Sequence, residues 1–288
     1  MSRQFLSIIS LLFITFYCQA QFVCTIPSTK AFEDKLTTLN QLPLQGLTSN
    51  EKAISIAKTF VGEPYLEKTL EINEKREDLV INYLGFDCTT FVESVVALTK
   101  LYSGEDNEKF RNLNHYASIL EYLRYRDGRR NGYPSRLHYF TEWIRNNQKK
   151  GIVTDVTEKI GGTVYDKKIN FMSTHITAYK QLVGNDSALV EIKKIEDQIN
   201  TKPLSQIYIK EIAEIESKIE SGDIIALVCK VDGLDVSHVG FAVRLEDNRI
   251  HLLHASQSGG KVEITKKPLA EWLKNSKLNT GITVARIN

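Results

Sequence analysis

The apolar positions of this chain fall into two regimes. Up to about residue 220 they recur at helical spacing, and beyond it they run in short blocks that read as strands. Ala53, Ile54, Ile56, Ala57 and Phe60 make one face of a helix over 51–61, with Ser49 or Asn50 placed to cap it. Phe91, Val92, Val95 and Val96 predict a second helix. It opens at Cys88 behind Asp87, an N-cap residue, and ends near Gly104. Residues 105–150 read as mostly helical, with one amphipathic piece at Ile119-Leu120-Tyr122-Leu123 and another over 135–144 capped by Ser135. The basic stretch 124–132 between them reads as a solvated turn. Residues 21–50, with Pro27 and Pro43, read as a surface wrap. Residues 66–84 read as two short strands or an extended arm, and 161–171 as a turn and a strand. A charged helical stretch over 186–220 has Ile192, Ile195 and Ile199 as its seam and a break at Pro203. Strands follow at 224–229, 236–244, 250–256, 262–264 and 281–286. A helix-rich part followed by an antiparallel sheet is the α+β class.

Composition changes this picture little. Of 288 residues, 42% are hydrophobic and 25% charged, as in a globular domain. The first twenty stand apart: Arg3, an apolar run over 5–16 and a small Ala20 read as a secretory signal cut after Ala20. Lipidation at Cys18 is disfavoured by the bulky Tyr17 before it. No later run is long enough to cross a membrane. The expected organisation is a signal peptide over 1–20 and a single domain over 21–288, with a helical insertion around 105–220. The product is exported, periplasmic or secreted. The formal charge of +2, lowered by one when Arg3 leaves, is no footprint for nucleic acid. Cys24, Cys88 and Cys229 remain, and an odd count leaves at least one free thiol.

Cys88 is the cysteine in a setting that could activate it, because unpaired N–H groups at a helix start lower a thiol pKa. A buried core cysteine is the alternative reading of the same helix. A nucleophile also needs a base, and the base an orienting partner. Of the six histidines, His238 opens one strand and His254 lies on the next, while His115 reads as surface. A hairpin loop of Glu246-Asp247-Asn248 pairs Leu245 with Arg249. His254 then lies opposite Gly240, on the face of His238 and diagonal to it, and His251 faces the other way. A two-residue loop turns His251 to the His238 face, but about 20 Å along the strand.

Four motifs stand in order: Phe86-Asp87-Cys88-Thr89-Thr90-Phe91, Ser221-Gly222-Asp223-Ile224-Ile225, Ser237-His238-Val239-Gly240-Phe241-Ala242-Val243 and Leu253-His254-Ala255-Ser256. Together they resemble the NlpC-type cysteine peptidases of bacterial cell walls, over roughly 60–260. The resemblance implies a papain-like fold, with a Cys-bearing helix packed on an antiparallel sheet and helical insertions. It also implies Cys88, His238 and His254 as the catalytic set. Gly62-Glu63-Pro64-Tyr65 is similar to the family's Gly-x-Pro-Tyr, although the gap from Tyr65 to Cys88 is longer than usual. The segments 136–144 and 171–175, with His138 and His175, resemble the amidase-like branch. That branch is implied to cut the amide between N-acetylmuramic acid and L-alanine in muropeptides, including 1,6-anhydro forms. His138 and Trp143 read equally as helix core. Tyr65, Asp87, His175 and Ser237 are the candidates for substrate contact. The expected enzyme is a monomeric thiol hydrolase with muropeptides as partners and with no metal or cofactor. Three alternatives stand: a γ-D-glutamyl-diamino acid endopeptidase of the same superfamily, a zinc amidase using His238, His251 and His254, and a non-catalytic peptidoglycan-binding module.

Overall fold

The computed structural model describes residues 22–104, 109 and 111–288. The expected signal peptide and Cys18 lie outside the described residues. In chain order the elements are β1 (Phe22–Val23), α1 (Ile26–Leu39), α2 (Ser49–Lys58), β2 (Leu79–Val80), α3 (Cys88–Leu101), α4 (Leu113–Arg124) and α5 (Phe140–Lys149). Next come β3 (Val153–Asp155), α6 (Thr157–Ile160), β4 (Thr163–Tyr165), α7 (Phe171–Thr174), α8 (Asp186–Asn200) and β5 (Leu204–Tyr208). The chain ends with α9 (Ile212–Ile215), β6 (Ile224–Cys229), β7 (Val236–Arg244), β8 (Ile250–Ser256), β9 (Lys261–Ile264), α10 (Leu269–Leu273) and β10 (Asn279–Ile287).

Several expectations needed correction. Residues 21–50 are not a loose wrap, because α1 fills much of the stretch. Thr25 caps it through the Ser28 N–H, and Pro27 sits in the first turn, where no amide hydrogen is missed. Helix α2 is capped by Thr48, in a reciprocal box with Glu51, rather than by Ser49 or Asn50. Asn50 is buried, and its amide donates to Asp223 Oδ1 at 2.8 Å. Helix α5 starts at Phe140, because Ser135 is spent in a 3₁₀ turn over Tyr133–Ser135. It has no cap of its own. Asp235, buried just before β7, accepts the Thr141 N–H at 2.7 Å. In the arm 66–84 only β2 is regular, and it pairs in parallel with β1. Phe171 begins the short helix α7 rather than ending a strand.

The span 105–220 is not helix alone. Three strands from it join the main sheet, whose order is β4-β5-β10-β6-β7-β8-β9, with β3 also paired to β10. Pro203 ends helix α8 and the chain returns as β5, against the expectation of more helix. The pairs among β5 to β10 are antiparallel, and the fold is a mixed one with a large antiparallel sheet and several helices.

Side chains alternate across this sheet. Val239, Phe241 and Val243 of β7, with Leu253 and Ala255 of β8, pack against Phe91, Val92, Val95 and Val96 of α3. The opposite face, with Leu227, Ala242 and Leu252, is covered by Ile212 of α9 and by Leu269 and Leu273 of α10. Beneath α3, Glu93 and Arg124 form an ion pair at 2.6 Å, both nearly free of solvent. Trp143 Nε1 donates to the other oxygen of Glu93 at 3.3 Å. Among the described residues no helix is long and apolar enough to cross a membrane.

Candidate active site

Cys88 is the first residue of α3, as its sequence context predicts. Asp87 Oδ1 accepts from the Thr90 N–H at 2.7 Å, and the Asp87 N–H donates to Thr90 Oγ1 at 2.9 Å. This closed box fixes where the helix begins and hence where the thiol sits. The capping bonds occupy Asp87 Oδ1.

Tyr65 reaches the same place from far back in the chain. It bridges Phe86 in parallel, its N–H donates to Gly260 O at 2.9 Å, and the Leu66 N–H donates to Phe86 O at 3.1 Å. Residues 67–84 therefore leave and return as an excursion, so the long gap from Tyr65 to Cys88 does not separate the two. Burial raises the Tyr65 phenol to about 12, with Cys88 the next cause and Asp87 after it.

The hairpin of β7 and β8 has the three-residue loop. Phe241 pairs with Leu253 and Arg244 with Ile250, and Asn248 takes the left-handed conformation at φ 60°. The β7–β8 ladder stops at Phe241–Leu253. Above it, β7 pairs only with β6, and β8 only with β9. His238 and His254 face each other across this opening, with His238 Nε2 2.7 Å from His254 Nδ1 and the rings edge to face. Gly240 makes the approach possible, because a Cβ there would lie 2.7 Å from Leu253 O and 2.9 Å from His254 Cβ. Trp272 of α10 closes over His254, with ring centroids 5.5 Å apart.

A bulge aims His238. Leu227 pairs with His238 but Val228 with Val236, which leaves Ser237 as the extra residue. Val236 thereby packs with the α3 face, while His238 two residues later takes the other. Ser237 Oγ accepts from Asn279 Nδ2 at 2.7 Å, which pins the bulge to the start of β10.

The electrostatics differ from the expectation of an activated thiolate. Burial, and then the Asp87 carboxylate, push the Cys88 thiol up to about 11. The Val239 N–H and the hydroxyl and N–H of Thr89 oppose this. Lost hydration outweighs the favourable helix start. Burial and then His254 bring His238 down to about 3, and burial brings His254 down to about 4. All three groups are therefore neutral at pH 7. Among the described residues no hydrogen bond joins Sγ to His238. The Val239 N–H, one residue on from His238, is what links the thiol to β7.

The remaining candidates lie elsewhere. His251 is buried on the opposite side of its strand, with Nδ1 2.7 Å from Thr265 O and Nε2 3.0 Å from Asp247 Oδ2. His238, His251 and His254 therefore do not converge. His138 is packed on Tyr133 and bonded to its carbonyl at 2.9 Å. Burial and Arg136 hold it well below the usual histidine range. Trp143 is fully buried core. His175 is exposed, stacked on Phe171 at 4.1 Å, with Nδ1 3.0 Å from both Thr174 Oγ1 and Phe171 O. Among the described residues no hydrogen bond, ion pair or ring contact links it to Cys88, His238 or His254. Cys24, Cys88 and Cys229 are all free thiols. Sequence reasoning missed Val239 N–H, Trp272 and Asn279. Only Gly240, beside His238 in the sequence, hinted at the close strand approach.

A family model described as AmiA-like, N-acetylmuramoyl-L-alanine amidase-like, matches residues 55–282. Among solved structures the chain is similar to an N-acetylmuramoyl-L-alanine amidase from Bacteroides uniformis ATCC 8492. The identity is 36%, over 83% of this chain and 99% of that one, with a TM-score of 0.77. A putative xylanase from Bacteroides fragilis is 36% identical over 83% of this chain and 100% of its own, at a TM-score of 0.75. The protein LPG0564 from Legionella pneumophila str. Philadelphia 1, of family-model DUF1460, is 21% identical over 90% and 96% at 0.66, a likeness of fold alone. One curated protein also matches, the cell cycle protein kinase DBF2 of Saccharomyces cerevisiae (strain ATCC 204508 / S288c). It is 31% identical over 100 residues, 35% of this chain. The chain spans only 16% of that protein's length.

Proposed function

The chain belongs to the N-acetylmuramoyl-L-alanine amidase-like family, the hydrolases of cell-wall type matched over 55–282, and from that premise we propose a thiol amidase centred on Cys88. It cleaves the amide between N-acetylmuramic acid and L-alanine in muropeptides, 1,6-anhydro forms included, within a papain-like NlpC architecture. The observation that carries the reading is the 2.7 Å contact of His238 and His254 at the strand opening, where the Val239 N–H, next to His238, meets the Cys88 thiol.

In this reading His254 accepts the His238 Nε2–H. That leaves Nδ1 as the basic nitrogen, the role logic of a triad. The thiol proton passes to Nδ1 as sulfur bonds to the lactyl carbonyl carbon, so that the nucleophile forms only with substrate in place. The oxyanion accepts from the Cys88 N–H, one of the unpaired amides of the first helical turn, and from Tyr65. A phenol at about 12 keeps its proton for that task. Breaking the C–N bond takes the proton from His238 to the leaving alanine amine. Water, deprotonated by the same nitrogen, releases the acid from the thioester and restores the thiol. Asp87 acts by capping α3, and Ser237 by holding the bulge. His175 has no part in bond breaking. The enzyme acts outside the cytosol, where its substrate lies.

Mass spectrometry of defined muropeptides after incubation with the protein tests this. The expected products are free alanine-terminated stems and the intact sugar. Cleavage between D-glutamate and the diamino acid, with the sugar–alanine bond whole, would assign the chain to endopeptidase chemistry instead.

A further inference from the structure

Between α9 and α10 runs a groove of about 820 Å³ with Lys210, Lys230, Arg249 and Lys274 among its lining residues, against one carboxylate, Glu271. Arg249 is already engaged, 2.9 Å from Glu216 and 3.3 Å from Glu271. Lys210 lies 3.9 Å from Glu211. Lys230 and Lys274 are exposed and meet no carboxylate among the described residues. The whole chain carries only +2, so these unpaired ammonium groups are a local concentration and not a general excess.

The groove adjoins the candidate site. It lies on the sheet face that bears His238 and His254, and Asn279 belongs to both. Asn279 lines the groove and also donates to Ser237, the residue before His238. Helix α10 forms one wall, and its Trp272 contacts His254. Lys230, Lys274 and Asn279 thus line one groove, and Asn279 ties it to Ser237, the residue before His238.

We propose that this groove takes the stem peptide of the substrate and that Lys230 and Lys274 bind its free carboxylates. The inference rests on the amidase reading above and adds a determinant of specificity to it. Exposed ion pairs are each worth up to roughly fivefold in affinity, so two together supply about tenfold.

The test compares one muropeptide with free stem carboxylates and the same compound with them converted to amides. The intact protein should show a KM about tenfold higher for the amide form, a gap that shrinks in about 0.5 M salt. The double variant Lys230→Gln/Lys274→Gln should treat the two compounds alike. Equal KM values for the native protein, or a gap that survives in the double variant, overturn the inference. Calorimetry on Cys88→Ser, without turnover, should show tighter binding of the free-acid stem than of the amide. Binding with charge preference but no cleavage of the sugar–alanine bond in the native protein would refute the amidase reading alone. Cleavage without charge preference would refute this inference alone.

Discussion

Replacing His254 gives the sharpest test of the proposed site. Its Nδ1 is the partner of His238 Nε2 at 2.7 Å, and its side chain is only 5% exposed. In His254→Ala no water-filled surface takes over that bond, so His238 is left with a buried unsatisfied nitrogen, costing about 1–3 kcal/mol. Expressed in the transition state, where His238 carries a proton, that is a loss of roughly 5- to 150-fold in kcat/KM. The conservative variants divide by geometry. An asparagine amide oxygen falls where Nδ1 was and should restore most of the rate, whereas glutamine reaches the Nε2 position and should not. His251→Ala is the control, since both its ring nitrogens serve Asp247 and Thr265. It should lower thermal stability and leave kcat/KM within about twofold, below the size of one hydrogen bond. The assay is initial-rate release of stem peptide from a defined muropeptide, with circular dichroism to show that each variant is folded. Equal losses in His254→Ala and His251→Ala, or equal rates for the asparagine and glutamine variants, would refute the assigned geometry.

Other outcomes follow from the same structure. Cys88→Ala should abolish hydrolysis while the protein stays folded, and chelators should leave the native rate intact; loss of activity in a chelator with recovery in zinc would refute the thiol mechanism. Alkylation of Cys88 by iodoacetamide should be slow at pH 7 and climb towards a midpoint near the thiol value of about 11; a plateau reached below pH 7 would mean a stabilised thiolate. Glu93→Gln should destabilise the fold by about 3–5 kcal/mol in urea melts, because Arg124 would keep a buried charge without its counter-ion. Acid should also unfold the protein early. Below the free-histidine value of 6.5 the unfolded chain binds protons that buried His238 and His254 refuse down to about 3 and about 4. Stability should therefore be full above pH 6.5 and fall progressively as pH drops through that window, at a rate of up to about 1.4 kcal/mol per pH unit for each histidine. Flat stability from pH 7 to 4 in denaturant titrations would contradict this.

Local rules made the heart of the site legible. The Asp87 cap placed Cys88, and the period of two with the loop Glu246-Asp247-Asn248 fixed which histidine meets His238. What stayed hidden depends on contacts distant in sequence. The buried face of α1 is Ser28, Phe32, Lys35 and Leu39, half of it polar, so no apolar stripe announced the helix. Lys35 is tolerated there because its ammonium reaches Thr59 O at 2.7 Å and Glu63 at 3.2 Å. Strand β5, Leu-Ser-Gln-Ile-Tyr, is short and polar at its centre, and it is made a strand by its neighbours β4 and β10. The thiol value went the other way from expectation because desolvation is set by tertiary packing, which the first turn of a helix does not reveal.

The neutral resting state of Cys88 bears on how the thiol meets oxidants. Peroxides and disulfides are attacked by thiolates, hardly at all by thiols. With the thiol pushed up to about 11, little of the reactive anion is present at pH 7. An oxidising compartment turns exposed cysteines into disulfides and sulfenic acids. In such a place a nucleophile kept protonated until a carbonyl arrives is protected by its own reluctance to ionise. In the proposed thiol mechanism, durability and catalysis would share one device, the surroundings that keep Cys88 protonated.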